Sequence, residues 1–256
     1  MLRSRIIPCL LVHKRGLVKT VGFKDPKYVG DPINAVKIFN EKEVDELTVL
    51  DIDATIEGRA PDFEMIKNLA VECRMPFCYG GGVTTVEQAK KIISLGAEKV
   101  AISSAAIENP DLIKAMGQAI GVQSVVVIID AKKKGLFGSY EIFTHNGKKA
   151  TGIKVKDFVQ KINEIGVGEI VINSIEHDGK MTGFDFSLID LVRDNCDVPV
   201  TVMGGAGSLE DLRQVVKRYR IMGVAAGSLF VFKGKYRAVL ISYPSKSELK
   251  ELFAQQ

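Results

Sequence analysis

Pro76-Phe-Cys-Tyr-Gly-Gly-Gly-Val83 and Val200-Thr-Val-Met-Gly-Gly-Ala-Gly207 are one short phrase written twice, an apolar run closing on paired glycines. Gly80 and Gly81 match Gly204 and Gly205 at an offset of 124 residues (80 to 204). The same offset carries Ser103-Ser104 onto Gly227-Ser228. A slightly shorter offset of 119 (5 to 124) lays Arg5–Val12 over Ser124–Ala131. Several matches in one order, at half the chain length, mark an internal repeat. Around these phrases, short apolar or β-branched runs alternate with helix-period segments. The expected strands are Arg5–Val12, Glu46–Ile52, Pro76–Tyr79, Lys99–Ile102, Ser124–Asp130, Glu169–Asn173, Pro199–Met203 and Gly223–Ala226. The expected helices are Pro32–Glu43, Pro61–Cys73, Val86–Leu95, Asp111–Ala119, Val155–Ile165, Phe186–Asp194, Leu209–Tyr219 and Ser245–Phe253. Continuous apolar strands between helices read as a parallel sheet covered on its outer face. Eight such units predict a single-domain (β/α)8 barrel of two half-barrels, roughly 1–122 and 123–256. Two long loops, Lys14–Gly30 and Ala131–Gly152, break the rhythm and are expected to be functional.

At 256 residues and 46% hydrophobic, the chain can bury a full barrel core. Its net charge of +4 is dispersed, apart from Lys132-Lys133-Lys134. That mild excess suits anionic small molecules; nucleic acid is disfavoured, because no basic stripe with interleaved aromatics is present. Cys9, Cys73, Cys78 and Cys196 form no CxxC pair and have no His at ligand spacing, so reduced, mostly buried thiols are expected. The apolar run after the basic start is short for a signal peptide, and no 18-residue apolar stretch exists. A cytoplasmic protein without membrane span, metal or cofactor is the expectation.

Glycine turns at strand ends let backbone N–H groups approach an oxyanion. Gly81 and Gly82 with Ser103 and Ser104, and Gly204 and Gly205 with Gly227 and Ser228, therefore form two candidate phosphate grips, although either glycine pair alone fits a plain tight turn. Two symmetric grips across a barrel mouth predict an elongated small molecule phosphorylated at both ends. The same rim carries Asp51, Asp53, Asp130 and, slightly beyond, Asp178. Asp130 closes the apolar run Val125–Ile129, so burial should raise its pKa and suit it to general acid–base work. Asp51 fits two readings, ligand contact or hydrogen bonds that hold the barrel. His145 and His177 read as ordinary loop residues. At the opposite end, the strand starts bring Arg5, Glu46, Lys99 and Glu169 toward a narrow axis. They read either as charges that satisfy one another or as a polar gate.

Taken together these residues resemble the cyclase subunit of imidazole glycerol phosphate synthase, the HisF family, over nearly the whole chain. The stretches that carry the likeness include Arg5-Ile-Ile-Pro-Cys-Leu10, Gly30-Asp-Pro32, Asp45-Glu-Leu47, Leu50-Asp-Ile52 and Gly80-Gly-Gly82. Val125–Lys132, Gly168-Glu-Ile170, Asp178-Gly179 and Gly204-Gly-Ala-Gly207 continue it. The resemblance implies a glutaminase partner, HisH-like, on the N-terminal face. It also implies passage of ammonia through a four-charge gate, matched by Arg5, Glu46, Lys99 and Glu169, to a two-phosphate substrate. It further implies a mobile first-loop lysine, here Lys19, and catalytic aspartates on strands one and five. The second is Asp130; the first falls on Leu11, which carries no proton. Ser103 stands where the family usually has Asn, and Asn173 where it usually has Thr.

A more specific likeness rests on Cys9-Leu-Leu11, Tyr28-Val-Gly-Asp-Pro-Ile33, Phe39–Asp45 and Leu229–Pro244. It points to the HisF paralogues of surface-polysaccharide clusters, associated with glycosyl amidation (WbuZ-type). These are thought to pass ammonia to a sugar amidotransferase that makes acetamidino sugars. Basic Lys233–Arg237 fits a docking face for that third protein, or a plain barrel cap. Three functions stay open: an ammonia-conducting module, an authentic cyclase, and an aldose–ketose isomerase of the sister histidine-pathway barrel. Leu11 argues against the last two, since both need paired rim acids.

Overall fold

The computed structural model describes residues 4–135 and 138–254. Eight parallel strands form the wall: β1 (Arg5–His13), β2 (Leu47–Asp51), β3 (Phe77–Gly80), β4 (Lys99–Ile102), β5 (Val125–Lys133), β6 (Glu169–Ser174), β7 (Val200–Met203) and β8 (Gly223–Ala226). Each pairs with its successor from β1 to β8, and β8 pairs with β1 through Arg5 on Gly223, so the sheet closes. The main outer helices are α1 (Pro32–Glu41), α2 (Phe63–Glu72), α3 (Val86–Ser94), α4 (Asp111–Ile120), α5 (Val155–Ile165), α6 (Phe186–Arg193), α7 (Leu209–Tyr219) and α8 (Lys246–Phe253). The chain is a (β/α)8 barrel, as its alternating apolar runs predict.

Strand parity divides the core in two. Ile6, Leu10, Val49, Tyr79, Val127 and Ile172 face outward into the shell shared with the helices. Ile7, Cys9, Cys78, Ala101, Val126, Ile128, Val171, Met203 and Ala225 face inward and fill the axis, with Leu11 and Leu50 above them. A period of two along each strand produces this division. It also places Arg5 and Leu11 on the same inner face, six residues apart. At about 3.3 Å per residue and a strand tilt near 36°, they stand roughly 16 Å apart along the axis. Helix starts are locally encoded. Thr85 and Gln88 form a capping box on α3, Ser208 and Asp211 on α7, and Ser245 and Glu248 on α8. Each is worth about 1 kcal/mol.

The two expected long loops are corrected by the structure. Residues Gly16–Val21 and Lys24–Gly30 form an antiparallel ribbon on the extension of β1, with Leu11 opposite Val18 and His13 opposite Gly16. Likewise β5 runs on to Lys133 and pairs with Tyr140–Thr144, which pairs with Lys149–Lys154. Both segments are therefore strand extensions that rise above the rim. Their many lysines and glycines hide the alternation that marks a strand, because the outer face of such a ribbon meets water.

The closing segment also packs on the barrel. Tyr243 is buried, donates from its hydroxyl to Ile6 O at 2.9 Å, and lies against the Phe230 ring at 5.4 Å. Lys233–Arg237 lies in a small hairpin formed by Phe232–Lys233 and Ala238–Val239. There Arg237 donates to Gly179 O at 3.1 Å, while Tyr236 is 86% exposed.

Candidate functional site

The C-terminal ends of the strands surround a cavity of about 530 Å³. Of the rim residues singled out from the sequence, all but Asp53 line it: Leu11, Lys19, Asp51, Gly81, Gly82, Ser103, Ser104, Asp130, Asn173, Asp178, Gly204, Gly205, Gly227 and Ser228. The two glycine turns are built alike. Gly81 has φ +116° and Gly205 φ +122°. A Cβ would meet Asp51 O at 2.3 Å in the first turn and Gly183 O at 2.1 Å in the second. Backbone crowding therefore demands glycine at both positions whether or not an anion binds. In both halves the helix behind the turn caps itself. Gln88 Oε1 accepts from Thr84 N and Thr85 N, and Asp211 Oδ2 accepts from Gly207 N and Ser208 N. Short helices, Ser104–Glu108 and Ser228–Val231, begin at the corresponding serines after β4 and β8.

Asp130 is the inward residue at the top of β5. Burial pushes its carboxyl up to about 7, against the lowering effect of a hydrogen bond from Asn173 Nδ2 at 2.9 Å. Burial likewise pushes Asp178 up to about 6, opposed by the nearby Lys19 ammonium. Across from these groups the wall is apolar, with Leu11 opposite Leu50 in the β1–β2 register. Lys19 comes from the first ribbon and is 4% exposed, and its Nζ donates to Cys9 O at 2.5 Å. Burial holds it below the ordinary lysine range. The ribbon is fixed to the loop after β6 by Gly22 N donating to Asp178 O at 2.9 Å and by Thr20 Oγ1 reaching Asp178 Oδ2 at 3.4 Å. Lys19 is thus seated in the mouth by a β-ribbon. Asp51 acts on its own loop, accepting from Asp53 N and Ala54 N and lying 3.5 Å from Arg59 Nη1. That favours its role in holding the barrel rim.

Two features escaped the sequence reading. His145 and Asn146 line the mouth from the turn of the second ribbon, both at positive φ. Asn146 Nδ2 reaches across to Ile52 O at 2.7 Å. His13, at the end of β1, meets Asp53 Oδ1 through Nδ1 at 2.7 Å, and Lys14 N donates to the other oxygen at 2.8 Å. The phrase Phe143-Thr-His-Asn-Gly147, a turn signature soon after Asp130, was the available signal for the first. His177 binds Ser174 Oγ at 2.9 Å.

At the other end of the axis the four charges form a closed ring. Arg5 pairs with Glu46 through Nη1 and with Glu169 Oε1 through Nη2 at 2.7 Å. Lys99 Nζ completes it on Glu46 Oε1 and Glu169 Oε2, both at 2.8 Å, and Thr201 Oγ1 also donates to Glu169. The glutamate side chains are 5% exposed, against 30% for Arg5 and 18% for Lys99, so the cations lie on the solvent side. Burial would raise the Glu169 carboxyl, yet Arg5 and Lys99 together hold it below the usual range. Above the ring lies a narrow void lined by both glutamates and Thr48. It shares Ala101, Ile128, Met203 and Ala225 with the mouth, so one layer of side chains bounds both spaces.

A closed parallel barrel with its cavity at the strand C-termini defines a (β/α)8 protein whose site is built from βα loops. The chain belongs to the histidine biosynthesis protein family, which matches it over residues 5–237. Within that family it is a HisF-type paralogue. A provisionally named imidazole glycerol phosphate synthase subunit HisF of Leptospira interrogans is 55% identical, covering 99% of this chain and all of its own length. A similarly named subunit, hisF2, of Pseudomonas aeruginosa is 53% identical over 97% of this chain and 99% of its own. The imidazole glycerol phosphate synthase subunit HisF of Hyphomonas neptunium, named without that qualification, is 43% identical over 91% of each chain. No helix among the described residues is long and apolar enough to cross a membrane.

Proposed function

We propose that this chain is the ammonia-receiving synthase subunit of a two-component glutamine amidotransferase. A HisH-like glutaminase docks on the N-terminal face as a heterodimer, and the ring of Arg5, Glu46, Lys99 and Glu169 admits ammonia to the axis. The observation that carries this reading is the closed ring beneath a void that one side-chain layer, Ala101, Ile128, Met203 and Ala225, parts from the mouth. A barrel base needs no charged residues for stability, since buried ion pairs contribute little net energy. At the mouth the two glycine turns with Ser103, Ser104, Gly227 and Ser228 hold a phosphorylated small molecule, and Asp130 and Lys19 face it. Leu11 removes one member of the acid–base pair that ring closure requires, a loss of about 10²–10⁴-fold in proton-transfer catalysis. The mouth therefore hands ammonia onward to a sugar amidotransferase, in the formation of an acetamidino sugar for surface polysaccharide.

The test uses the complex with its glutaminase. Lys99→Met should leave glutamine hydrolysis running while glutamine-dependent amidation falls at least tenfold and ammonium-fed amidation holds. Unchanged coupling overturns the gate. A second reading, an authentic cyclase, is favoured by the Asp130 carboxyl poised at about 7.

A further inference from the structure

Three hairpins stand at the mouth end of the barrel: the first ribbon within residues 14–30, the second within 131–154, and the small hairpin over 232–239. Together these segments carry 14 lysines and arginines against two carboxylates, Asp25 and Glu141. The whole chain holds 35 against 31, so everything outside the hairpins holds 21 against 29. A net charge of only +4 therefore divides into +12 on the hairpins (14 less 2) and −8 on the remainder (21 less 29). Crowding like charges costs the folded state through self-repulsion. Elsewhere on the surface cations are answered locally, as Arg213 is by Glu210 and Arg218 by Asp190. On the hairpins, among the described residues, only Arg15, Lys134 and Lys149 reach a carboxylate at salt-bridge distance.

The hairpins form one continuous crown. Lys27 Nζ of the first ribbon lies 5.6 Å from the centre of the Phe232 ring in the small hairpin. Phe23, at the turn of the first ribbon, lies so close to the turn of the second that a Cβ on Gly147 would fall 3.2 Å from its ring. The crown borders the cavity directly, since Phe23, His145 and Gly227 line it. Its outer side presents Tyr236 and Tyr28, 86% and 66% exposed, together with Val239 and Leu240. Exposed tyrosines are anchor residues of protein interfaces, and a rim of one charge around them steers a partner of the opposite sign. A lipid surface fits less well, because insertion calls for an amphipathic helix and the crown is made of strands and turns.

We propose that the crown is the docking face for an acidic surface of the sugar amidotransferase, with Tyr28 and Tyr236 as its anchors and the hairpin lysines as its charged rim. This rests on the reading of the chain as a subunit that passes ammonia onward, and it gives the acceptor protein a place. Seated on all three hairpins, the acceptor covers the mouth, so ammonia leaving the barrel meets it before bulk water.

The test measures binding of the full-length barrel, in complex with its glutaminase, to an immobilised sugar amidotransferase from the same organism. One variant combines Lys24→Glu, Lys148→Glu and Lys235→Glu, an exposed reversal on each hairpin. Its control makes the same change of net charge on the outer helices, with Lys114→Glu, Lys161→Glu and Lys217→Glu. The crown variant should associate at least about tenfold more slowly at low salt, and the difference should shrink as salt screens it. The helix variant should associate at the wild-type rate. Tyr236→Ala leaves every charge in place and should speed dissociation at least about fivefold; it decides alone if the triple variant does not fold. No binding by the wild type, equal loss in the two triple variants, or unchanged dissociation in Tyr236→Ala would overturn the docking face. Tighter binding of the wild type to phosphatidylglycerol vesicles or duplex DNA than to the amidotransferase would also overturn it, and would assign the crown to a membrane or to nucleic acid. No glutamine or turnover enters the binding measurement. If it fails while the same proteins still couple glutamine to amidation, the docking face falls and the ammonia path stands; a failed Lys99 experiment removes the path alone.

Discussion

The two ends of the barrel axis hold similar inventories of charge and use them in opposite ways. At the base, two cations and two carboxylates close on one another, and Glu169 accepts from Arg5, Lys99 and Thr201 at once. At the mouth, Asp130 is buried with a neutral amide for its partner, while Asn173 Oδ1 and Ser103 Oγ have none. At the base the charged groups satisfy one another, and at the mouth two buried oxygens are left without a partner. The same contrast runs across the mouth itself. The repeat lays Leu11 over Asp130, so one half-barrel presents an aliphatic group where the other presents an acid.

The largest effect should come from restoring that symmetry. If the rest of the mouth is intact, Leu11→Asp should raise ammonium-driven cyclase turnover by about 10²–10⁴-fold. A rise below threefold in steady-state assays would show that more than one residue separates this mouth from a cyclase. Opening the ring should come next. Glu169→Ala leaves Arg5 and Lys99 sharing Glu46 alone and should lower stability by about 3 kcal/mol in urea unfolding. A change under about 0.5 kcal/mol would mean that the ring is as loosely held as a surface pair.

The mouth should respond to pH where the base does not. The folded Asp130 carboxyl, raised to about 7, keeps a proton that the unfolded chain releases near pH 4. Stability from this group is therefore present at low pH and lost as pH rises through about 7. Asp130→Asn cannot ionise, so its stability relative to wild type should improve by on the order of 2 kcal/mol between pH 5 and pH 8. A difference that stays constant across that range would show that the carboxyl is not held neutral by burial. The smallest effect is expected at Lys19, whose buried ammonium makes one hydrogen bond to a carbonyl. Lys19→Met should raise the melting stability by about 1 kcal/mol, because it removes a desolvated charge. A fall would show that the bond to Cys9 O outweighs the burial.

The barrel was legible in the sequence because its strands are short apolar runs and its helices carry local start signals. Val155–Ile165 and Leu209–Tyr219 fall at the expected residues, and Ser245 caps the last helix as its spacing with Glu248 predicts. The two ribbons were hidden because their water-facing sides are rich in lysine and glycine. The ring was visible only as charges at strand starts. Its closure depends on side-chain geometry that no spacing encodes. The contacts of His13 with Asp53, and of Asn146 with Ile52 O, join segments about 40 and 94 residues apart, beyond the reach of local pattern. Crowding at Gly81 and Gly205 could not be read either, since a glycine required by a neighbouring backbone looks the same in sequence as one required by a phosphate.

Whether the mouth retains ring-closing chemistry can be asked of the purified barrel without a partner. It is given saturating free ammonium and the two-phosphate ribonucleotide substrate of imidazole glycerol phosphate synthase, and product is followed with time. With Leu11 facing Asp130 across an apolar wall, turnover should be absent or at least about 10²-fold below that of a cyclase with both acids. Turnover at an ordinary cyclase rate would contradict the account and make the chain an authentic cyclase.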